Sequence, residues 1–336
     1  MNLLVTGGAG FIGSNFIHYW LDENPEDEVV NLDLLTYAGN LENLKDVENN
    51  PNYSFIKGDI TNKELVEDVI REHEIDTIVH FAAESHVDRS IMNCEDFVHT
   101  NVVGTYSLLE QARDFNLNFH HVSTDEVFGE LDPEDPPFDE NTDYDPQSPY
   151  AASKAGSDHL VRSYHNTYDL EVTISNCSNN YGPYQFPEKI IPLFISNLMT
   201  DEKVPVYGDG KQRRDWIHVD DHSRGVEKII KDGESGETYC LGGDSEMTNL
   251  ELTKTLLELM DKDESYIKHV KDRPGHDRRY AIDFSKAKEK LGWEPQIEFR
   301  QGLKNTIEWY EQNQEWVKRC KSGEYRDYYK QQYKKR

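Results

Sequence analysis

Basic residues are scarce in this 336-residue chain, where 36 Lys and Arg stand against 64 Asp and Glu, a formal net charge of −28. Such a negative field argues against nucleic acid or an anionic membrane as the main partner. Any anionic ligand must be met by a local cluster of basic side chains. The acidity is consistent either with adaptation to high salt, which screens carboxylate repulsion, or with an ordinary acidic soluble protein.

Cysteines and long apolar segments are also few. The four cysteines are far apart and form no C-x-x-C pair, which predicts a reduced protein of the cytoplasm. The chain enters a strand-like run at Leu3-Leu4-Val5 without a basic leader, so neither a signal peptide nor a membrane span is expected. His120 and His121 are neighbours in a strand-like run and face opposite sides, so no metal site is predicted.

Strand-like runs alternate with amphipathic helical patterns over the first half of the chain. Helical patterns occupy 62–73, 95–116 and 150–168. The strand-like runs are 3–7, 29–33, 53–59, 76–83, 119–125 and 171–178. This βαβ rhythm predicts an α/β fold in which helices cover both faces of a doubly wound parallel sheet.

The rhythm changes after about residue 180. Gly- and Pro-containing segments and shorter elements follow, and a long helix is predicted near 301–320. We therefore expect a cofactor-binding unit over 1–180 and a smaller mixed α/β substrate lobe over 181–336, with an interleaved boundary.

The first strand-like run leads into TGGAGFIGS, in which Gly7, Gly10 and Gly13 precede an apolar helical pattern. Glycines at this spacing permit a tight turn, a close approach to a pyrophosphate and close packing of helix on strand. Asp33 closes the second strand, 20 residues after Gly13. A carboxylate there binds the adenosine ribose and repels a 2′-phosphate, so the pattern predicts a Rossmann-type site for NAD rather than NADP.

Two further strand ends are predicted to face the same cofactor. Asp59, with Ile60, ends the third strand and could border the adenine. An equally good interpretation makes Asp59 the N-cap of the helix that follows, and the two roles are compatible. Ala82 and Ala83 end the fourth strand with small side chains that leave room for the cofactor.

The stretch SPYAASKAG places Tyr150 and Lys154 four residues apart on a helix that Ser148 can cap and Pro149 can begin. This spacing puts both side chains on one face, where an ammonium stabilises a phenolate. Tyr150 is then a candidate base for a substrate hydroxyl. The alternative is a core tyrosine beside a lysine that bends to the surface.

Together these features resemble the extended short-chain dehydrogenase/reductase superfamily and, within it, the dTDP-glucose 4,6-dehydratase family. The narrower resemblance rests on five long blocks that span nearly the whole chain. They are AAESHVDRS (82–90), STDEVFG (123–129), SNNYGPYQFPEKIIP (178–192), YGDGKQRRDWIHVDD (207–221) and RPGHDRRYAID (273–283). One departure is Phe128, where the family usually has tyrosine; the missing hydroxyl bears on one supporting hydrogen bond.

The resemblance implies a reaction in which NAD takes a hydride from C4 of the sugar, water leaves across C5 and C6, and the hydride returns to C6. It makes Tyr150 the base at the C4 hydroxyl and Thr124 its partner on that oxygen. Asp125 becomes the acid at C6 and Glu126 the base at C5. For both carboxyl groups to reach one sugar, the fifth strand must end at Thr124 and the chain must turn there.

The resemblance also assigns binding residues. For tightly bound NAD they are Gly7, Gly10, Phe11, Ile12, Gly13, Asp33, Thr36, Asp59, Ile60, Ala82, Ala83, Thr100, Tyr150, Lys154 and Asn180. For the sugar nucleotide they are Ser85, His86, Thr124, Asn179, Lys189, Tyr207, Arg214, Asn249, Arg273 and His276. Among the latter, Arg214 and Arg273 suit a diphosphate. Tyr207 could stack on the base or be a core aromatic.

Several alternatives stay open at this point. A UDP-glucose 4,6-dehydratase would carry the same Thr-Asp-Glu triplet, whereas a sugar-nucleotide 4-epimerase needs the Tyr-Lys pair but not the two carboxyl groups. GDP-mannose dehydratases resemble the chain less, with serine in place of Asp125. A non-enzymatic NAD sensor is the remaining class. The resemblance further implies dTDP-rhamnose-type biosynthesis and a homodimer packed through helices, for which Ala151, Ala152, Ala155 and Gly156 permit close approach.

Overall fold

The strands of the computed structural model, which describes residues 1–272 and 275–321, form one large sheet and three small ones. They are β1 Asn2–Thr6, β2 Glu28–Asp33, β3 Tyr53–Lys57, β4 Thr77–His80, β5 Asn118–Thr124, β6 Val172–Cys177, β7 Asn179–Tyr181, β8 Val204–Tyr207, β9 Arg213–Arg214, β10 Trp216–His218, β11 Thr238–Leu241, β12 Met247–Thr248 and β13 Ile267–Val270.

Helices connect these strands. They are α1 Phe11–Glu23, α2 Lys63–Glu72, α3 Val87–Met92, α4 Glu95–Phe97, α5 Thr105–Phe115, α6 Pro149–Tyr168, α7 Ile190–Met199, α8 Val219–Asp232, α9 Asn249–Leu259, α10 Ser285–Leu291, α11 Phe299–Gln312 and α12 Gln314–Cys320. A π-helical segment, Val98–Gly104, joins α4 to α5. Short 3₁₀ turns lie at Leu41–Leu44, Asp125–Phe128 and Glu264–Tyr266.

The large sheet has seven parallel strands in the order β11-β6-β5-β4-β1-β2-β3. Each of the six predicted strand runs overlaps one of β1 to β6, so the predicted doubly wound sheet is confirmed. The strand order reverses between β1 and β4, and ligands of such sheets bind at the carboxyl ends beside that reversal.

Apolar side chains cover both faces of the sheet, as parallel strands require. Leu3 belongs to a cluster that also contains Phe16 and Trp20 of α1. Leu4, its neighbour in β1, belongs to the cluster on the opposite face, with Leu109 of α5. Each fully buried large apolar side chain contributes about 1.5–3 kcal/mol, and this alternation fixes the register of β1.

The later part of the chain builds a third apolar cluster from α7, α9, α11 and α12. Three two-stranded sheets border it: β10-β7, β12-β9 and β13-β8. Strand β11 returns to the large sheet and pairs with β6. The proposed division at residue 180 stays a prediction.

Two helix predictions need correction. The single helix expected near 301–320 is interrupted at Asn313, where α11 ends and α12 begins. The helix expected over 95–116 contains the wider π-helical segment, and Thr105, the first residue of α5, donates its hydroxyl to the Asn101 carbonyl within that segment. In the described part of the chain, no helix has both the length and the apolar character needed to cross a bilayer.

Candidate active site

A cavity of about 600 Å³ opens at the carboxyl ends of β1 to β5. Its walls contain every predicted NAD contact and all five predicted catalytic residues. The cavity lies at the reversal of strand order, where the topology of the sheet separates the loops that follow β1 and β4. One continuous site therefore holds the proposed cofactor and catalytic groups.

The glycine turn after β1 is packed so closely that side chains are excluded. Gly7 has φ +73°, and a Cβ there would lie 2.6 Å from the backbone of Ala82. A Cβ on Gly13 would lie 2.5 Å from the Gly7 carbonyl oxygen. Gly10 precedes α1 without a side-chain cap, so the helix N-terminus is open to a phosphate. This cradle fits the pyrophosphate of NAD.

Asp33 at the end of β2 is held in place by backbone donors. Its two carboxylate oxygens accept hydrogen bonds from Ala9 N at 2.9 Å and Leu35 N at 2.8 Å. Burial raises the pKa of Asp33, and these two hydrogen bonds oppose the rise. The carboxylate lines the cavity, as a ribose-binding group must.

Asp59 also lines the cavity, but it is not the cap of α2. Its Oδ1 accepts from the backbone and the hydroxyl of Thr61, both at 2.8 Å. Asn62 is the N-cap of α2, because its side chain accepts from Leu65 N. The capping role considered for Asp59 is therefore wrong, since a cap must immediately precede the first helical turn.

The chain turns where the chemistry requires it. β5 ends at Thr124 and a 3₁₀ turn begins at Asp125, with the Thr124 side chain accepting from Glu126 N at 3.3 Å. The predicted end of the strand is confirmed. The Thr124 hydroxyl donates to Asp125 Oδ1 at 3.2 Å, while Asp125 Oδ2 has no hydrogen-bond partner among the described residues. Burial and the charge of Glu126 raise the pKa of Asp125 well above its usual value.

Tyr150 and Lys154 lie on α6, which begins as predicted: Ser148 accepts from Ala151 N and Pro149 occupies the first turn. Burial raises the pKa of Tyr150 well above its ordinary value, and the charge of Glu126 adds to the rise. Lys154 is 3 % exposed, so the alternative of a lysine bent to the surface is wrong. Its ammonium donates to the Val122 carbonyl at 2.9 Å, and burial lowers its pKa to about 8.

Part of the predicted substrate set lies in the same cavity. Ser85, Thr124, Asn179 and Lys189 line it, and Lys189 Nζ donates to the Ser85 carbonyl at 2.9 Å. The side-chain oxygen of Asn179 is buried without a hydrogen bond among the described residues. That atom is available to a ligand. His86 is buried beside the cavity rather than among its lining residues.

The other predicted substrate residues lie outside the lining of this cavity: Tyr207, Arg214, Asn249 and His276. Tyr207 and His276 meet edge to face at 5.8 Å between ring centroids. Arg214 donates to the carbonyls of Arg213 and Asp277, at 2.7 and 2.9 Å, and its charge lowers the pKa of Asp125. Arg214 therefore lies outside the cavity lining but within electrostatic range of Asp125. Arg273 lies outside the described residues.

Sequence reasoning missed several cavity-lining groups. Tyr37 donates to Glu188 at 3.0 Å, and the Arg89 guanidinium lies 3.8 Å from the Tyr37 ring centroid. Glu188 directly precedes Lys189, a predicted substrate residue, and this position in the sequence could have indicated that Glu188 lies in the site. Cys177, at the end of β6, lines the cavity as well. Tyr37 gave no local signal, because its partners come from distant parts of the chain. No group of metal-ligating residues occurs within the described ranges.

The doubly wound parallel sheet, the glycine turn and the buried Tyr-Lys pair define the class of this protein as NAD-binding and of the short-chain dehydrogenase/reductase type. The family model described as GDP-mannose 4,6 dehydratase matches residues 4–306. A dTDP-glucose 4,6-dehydratase from Xanthomonas campestris pv. campestris (strain B100) is 52% identical over 342 residues, covering 96% of this chain and 97% of the relative. The chain thus belongs to the family of that model and, within it, groups with the dTDP-glucose 4,6-dehydratases.

Solved structures agree with this assignment. The dTDP-glucose 4,6-dehydratase DesIV from Streptomyces venezuelae, solved with NAD bound, is 49% identical, with a TM-score of 0.92 over 95% of this chain and 100% of that chain. A UDP-glucose 4-epimerase from Thermotoga maritima is 30% identical, with a TM-score of 0.87 over 94% of this chain and 100% of that chain. The fold is therefore shared with epimerases, and the side chains must decide between the two activities.

Proposed function

We propose that this protein is an NAD-dependent dTDP-glucose 4,6-dehydratase, a hydro-lyase that forms dTDP-4-keto-6-deoxyglucose and water. The observation that carries the proposal is that Asp125 and Glu126 line the same cavity as Tyr150 and Lys154. A Tyr-Lys pair beside NAD suffices for oxidation at C4. Elimination of water also requires an acid and a base, which the two carboxyl groups supply.

The glycine turn and Asp33 hold NAD, which when bound takes up a hydride and gives it back, so that it is regenerated in each turnover. Tyr150 removes the proton of the C4 hydroxyl. Thr124, which lines the same cavity as Tyr150, holds the same oxygen. Because burial disfavours the phenolate, the positive charge of Lys154 on the same face of α6 is needed to stabilise it.

The ketone at C4 makes the C5 proton acidic, and the two carboxyl groups divide the elimination between them. Glu126 takes the C5 proton. Burial and the neighbouring carboxylate raise the pKa of Asp125 well above its usual value, which favours the protonated form, and Asp125 donates its proton to the departing C6 hydroxyl. Asp125 thus serves as the acid and Glu126 as the base.

The nucleotide is proposed to extend from the cavity towards Arg214, Asn249, His276 and Arg273. The relatives of about half identical sequence are dTDP-glucose 4,6-dehydratases, which favours thymidine over uridine. Placement in dTDP-rhamnose-type biosynthesis, a cytoplasmic location and the division into units 1–180 and 181–336 are further parts of this proposal.

A homodimer is also proposed, because the segment from α3 to the start of α5 carries several exposed apolar side chains. Ile91 and Met92 of α3 are 45% and 56% exposed, and Val98, Val103 and Tyr106 follow along the π-helical segment and α5. Such exposed apolar segments favour association between subunits. Of the four small residues considered on α6, Ala151 and Ala155 are buried within the chain, whereas Ala152 is exposed and can approach a partner helix.

The test is the variant Glu126→Gln. With dTDP-glucose the variant should still oxidise C4, so NADH accumulates and its absorbance rises. The rate of water loss should fall by about 10²–10⁴-fold. Mass spectrometry of the products measures the loss of water. A parallel incubation with UDP-glucose tests the alternative substrate. Unaltered water loss in the variant would contradict the role of Glu126. An epimer in place of a dehydrated sugar from the wild-type protein would overturn the activity itself.

A further inference from the structure

The ammonium of Lys154 lies above a buried polar cluster that the proposed reaction does not use. His121 Nε2, on β5, is 3.3 Å from Lys154 Nζ and 3.2 Å from Asp158 Oδ1. Lys154 and Asp158 are one turn apart on α6, so both project towards the same face of the sheet. His121 and Asp158 have fully buried side chains. The imidazole of His121 thus lies between Lys154, which lines the cavity, and the carboxylate of Asp158 behind it.

One oxygen of Asp158, Oδ2, accepts from three donors that favour the ionised form, whereas Oδ1, the atom near His121, has no hydrogen bond among the described residues. Ser123 Oγ donates to Oδ2 at 2.9 Å, the Tyr144 hydroxyl at 2.7 Å and Asn176 Nδ2 at 3.4 Å. Burial alone would raise the pKa of Asp158, but the nearby His121, the charge of Lys154 and the hydrogen bond from Ser123 hold it below the usual value. A full negative charge therefore lies close beneath Lys154.

His121 does not carry a compensating charge of its own. Burial and the charge of Lys154 lower its pKa to about 4, so the ring is neutral at working pH. Its Nδ1 is buried without a partner among the described residues, and its Nε2 lies close to Lys154, to Asp158 and, at 3.2 Å, to the Ser157 hydroxyl. One neutral ring nitrogen cannot hydrogen bond to both an ammonium and a carboxylate, so Lys154 and Asp158 are coupled through their charges. The imidazole acts as a neutral spacer between the two charges. A buried ammonium without a nearby opposite charge is strongly disfavoured.

We propose that Asp158, acting across His121, is a positioning residue for the reaction: it is the buried counter-charge that keeps Lys154 protonated and directed at the cavity. The inference rests on the proposed function, because it gives Lys154 its charge for that chemistry. Asp158 itself lies behind the lysine and is absent from the cavity lining.

Titrating groups around Lys154 lie on three strands of the large sheet and on α6 itself. They are His80 on β4, His121 on β5, Cys177 on β6, and Tyr150 and Asp158 on α6. Burial lowers the pKa of Lys154 to about 8, and Asp158 opposes that shift. Activity needs the protonated lysine, so it should fall as pH rises through about 8. Removing the charge of Asp158 lowers the pKa of Lys154 further and moves this loss of activity to lower pH.

The first experiment measures kcat against pH for the NAD-loaded wild type and for Asp158→Asn, which keeps the shape of the side chain. The alkaline limb of the variant should move down by at least about one pH unit, an activity loss of about tenfold or more on that limb. Asp221→Asn is the matched control, because Asp221 is also a buried carboxylate, paired with Arg224 at 2.5 Å on α8. It should lower stability without moving the limb. A folded Asp158→Asn protein with the wild-type limb would overturn the proposal.

A second measurement does not depend on activity. Lys154→Met removes the positive charge that Asp158 is proposed to balance, so Asp158→Asn should lower the Tm less in the Lys154→Met protein than in the wild type. Asp221→Asn should lower the Tm equally in both backgrounds. If Asp158→Asn destabilises the two backgrounds to the same extent, Asp158 is not the counter-charge of Lys154. Because this comparison needs no turnover, it still tests the counter-charge if the wild type fails to release water from dTDP-glucose.

Discussion

Two regions of this molecule differ in how their residues are brought together: the cofactor side, which holds the residues predicted to bind NAD, and the nucleotide side, which holds the predicted nucleotide contacts outside the cavity. Every residue predicted to bind NAD lines one cavity. On the nucleotide side, Tyr207 ends β8, Arg214 ends β9 and Asn249 begins α9, and all three lie outside that cavity's lining. The first side is built by the carboxyl ends of neighbouring parallel strands, the second by short elements of separate small sheets.

This difference shows where local sequence patterns are sufficient to place a residue in the site. In a parallel sheet of known order, the residue after each strand must reach the same edge, so a strand-ending Asp33 or Ala82 is placed as soon as its strand is recognised. Arg214 has no comparable rule, because its position depends on the Asp277 carbonyl and the Tyr280 ring, which stand more than sixty residues away in sequence. Such contacts are properties of the folded chain.

The largest effect of a substitution is expected on the nucleotide side, at Arg214. Arg214→Lys should lower kcat/KM for dTDP-glucose by about 10- to 100-fold, because a lysine cannot keep both carbonyl contacts and still present a forked donor to the diphosphate. Retained NAD should be unchanged. The control is Arg213→Lys, since Arg213 is 44% exposed and paired with Glu246, an arrangement worth little. Equal losses in the two variants would remove Arg214 from the substrate site.

A smaller effect is expected on the cofactor side. Asp33→Asn should weaken NAD binding by about tenfold and narrow the preference for NAD over NADP, because the charge that repels a 2′-phosphate is lost. Titration of cofactor-free protein with each dinucleotide measures both. Asp76→Asn is the control, since Asp76 precedes β4 at the amino end of the strand, accepts from Asn2 N at 2.8 Å and is absent from the cavity lining. An unchanged NADP affinity in Asp33→Asn would show that Asp33 does not set the preference.

How far the sequence reaches can be seen at individual residues. The end of β5 at Thr124 was predictable, because two adjacent carboxyl groups can serve one sugar only after a turn. The start of α6 at Pro149 was predictable from its cap. The partners of Lys154 were not, since His121 and Asp158 come together only when β5 packs on α6. Their charges then depend on burial, which a one-dimensional pattern does not reveal.

The smallest predicted effect concerns a helix end within the well-predicted half. Asn62 rather than Asp59 caps α2, so Asn62→Ala should lower the free energy of unfolding by about 1 kcal/mol and leave kcat unchanged. Asn62→Asp is the control, because an aspartate is an equally good cap and should keep the wild-type value. Denaturant unfolding of the NAD-loaded protein measures the three forms. If Asn62→Ala is as stable as the wild type while Asp59→Asn is not, the turn at Asp59 is what stabilises this edge of the sheet. The sequence pattern would then have identified Asp59 correctly as a stabilising residue, although not as the cap of α2.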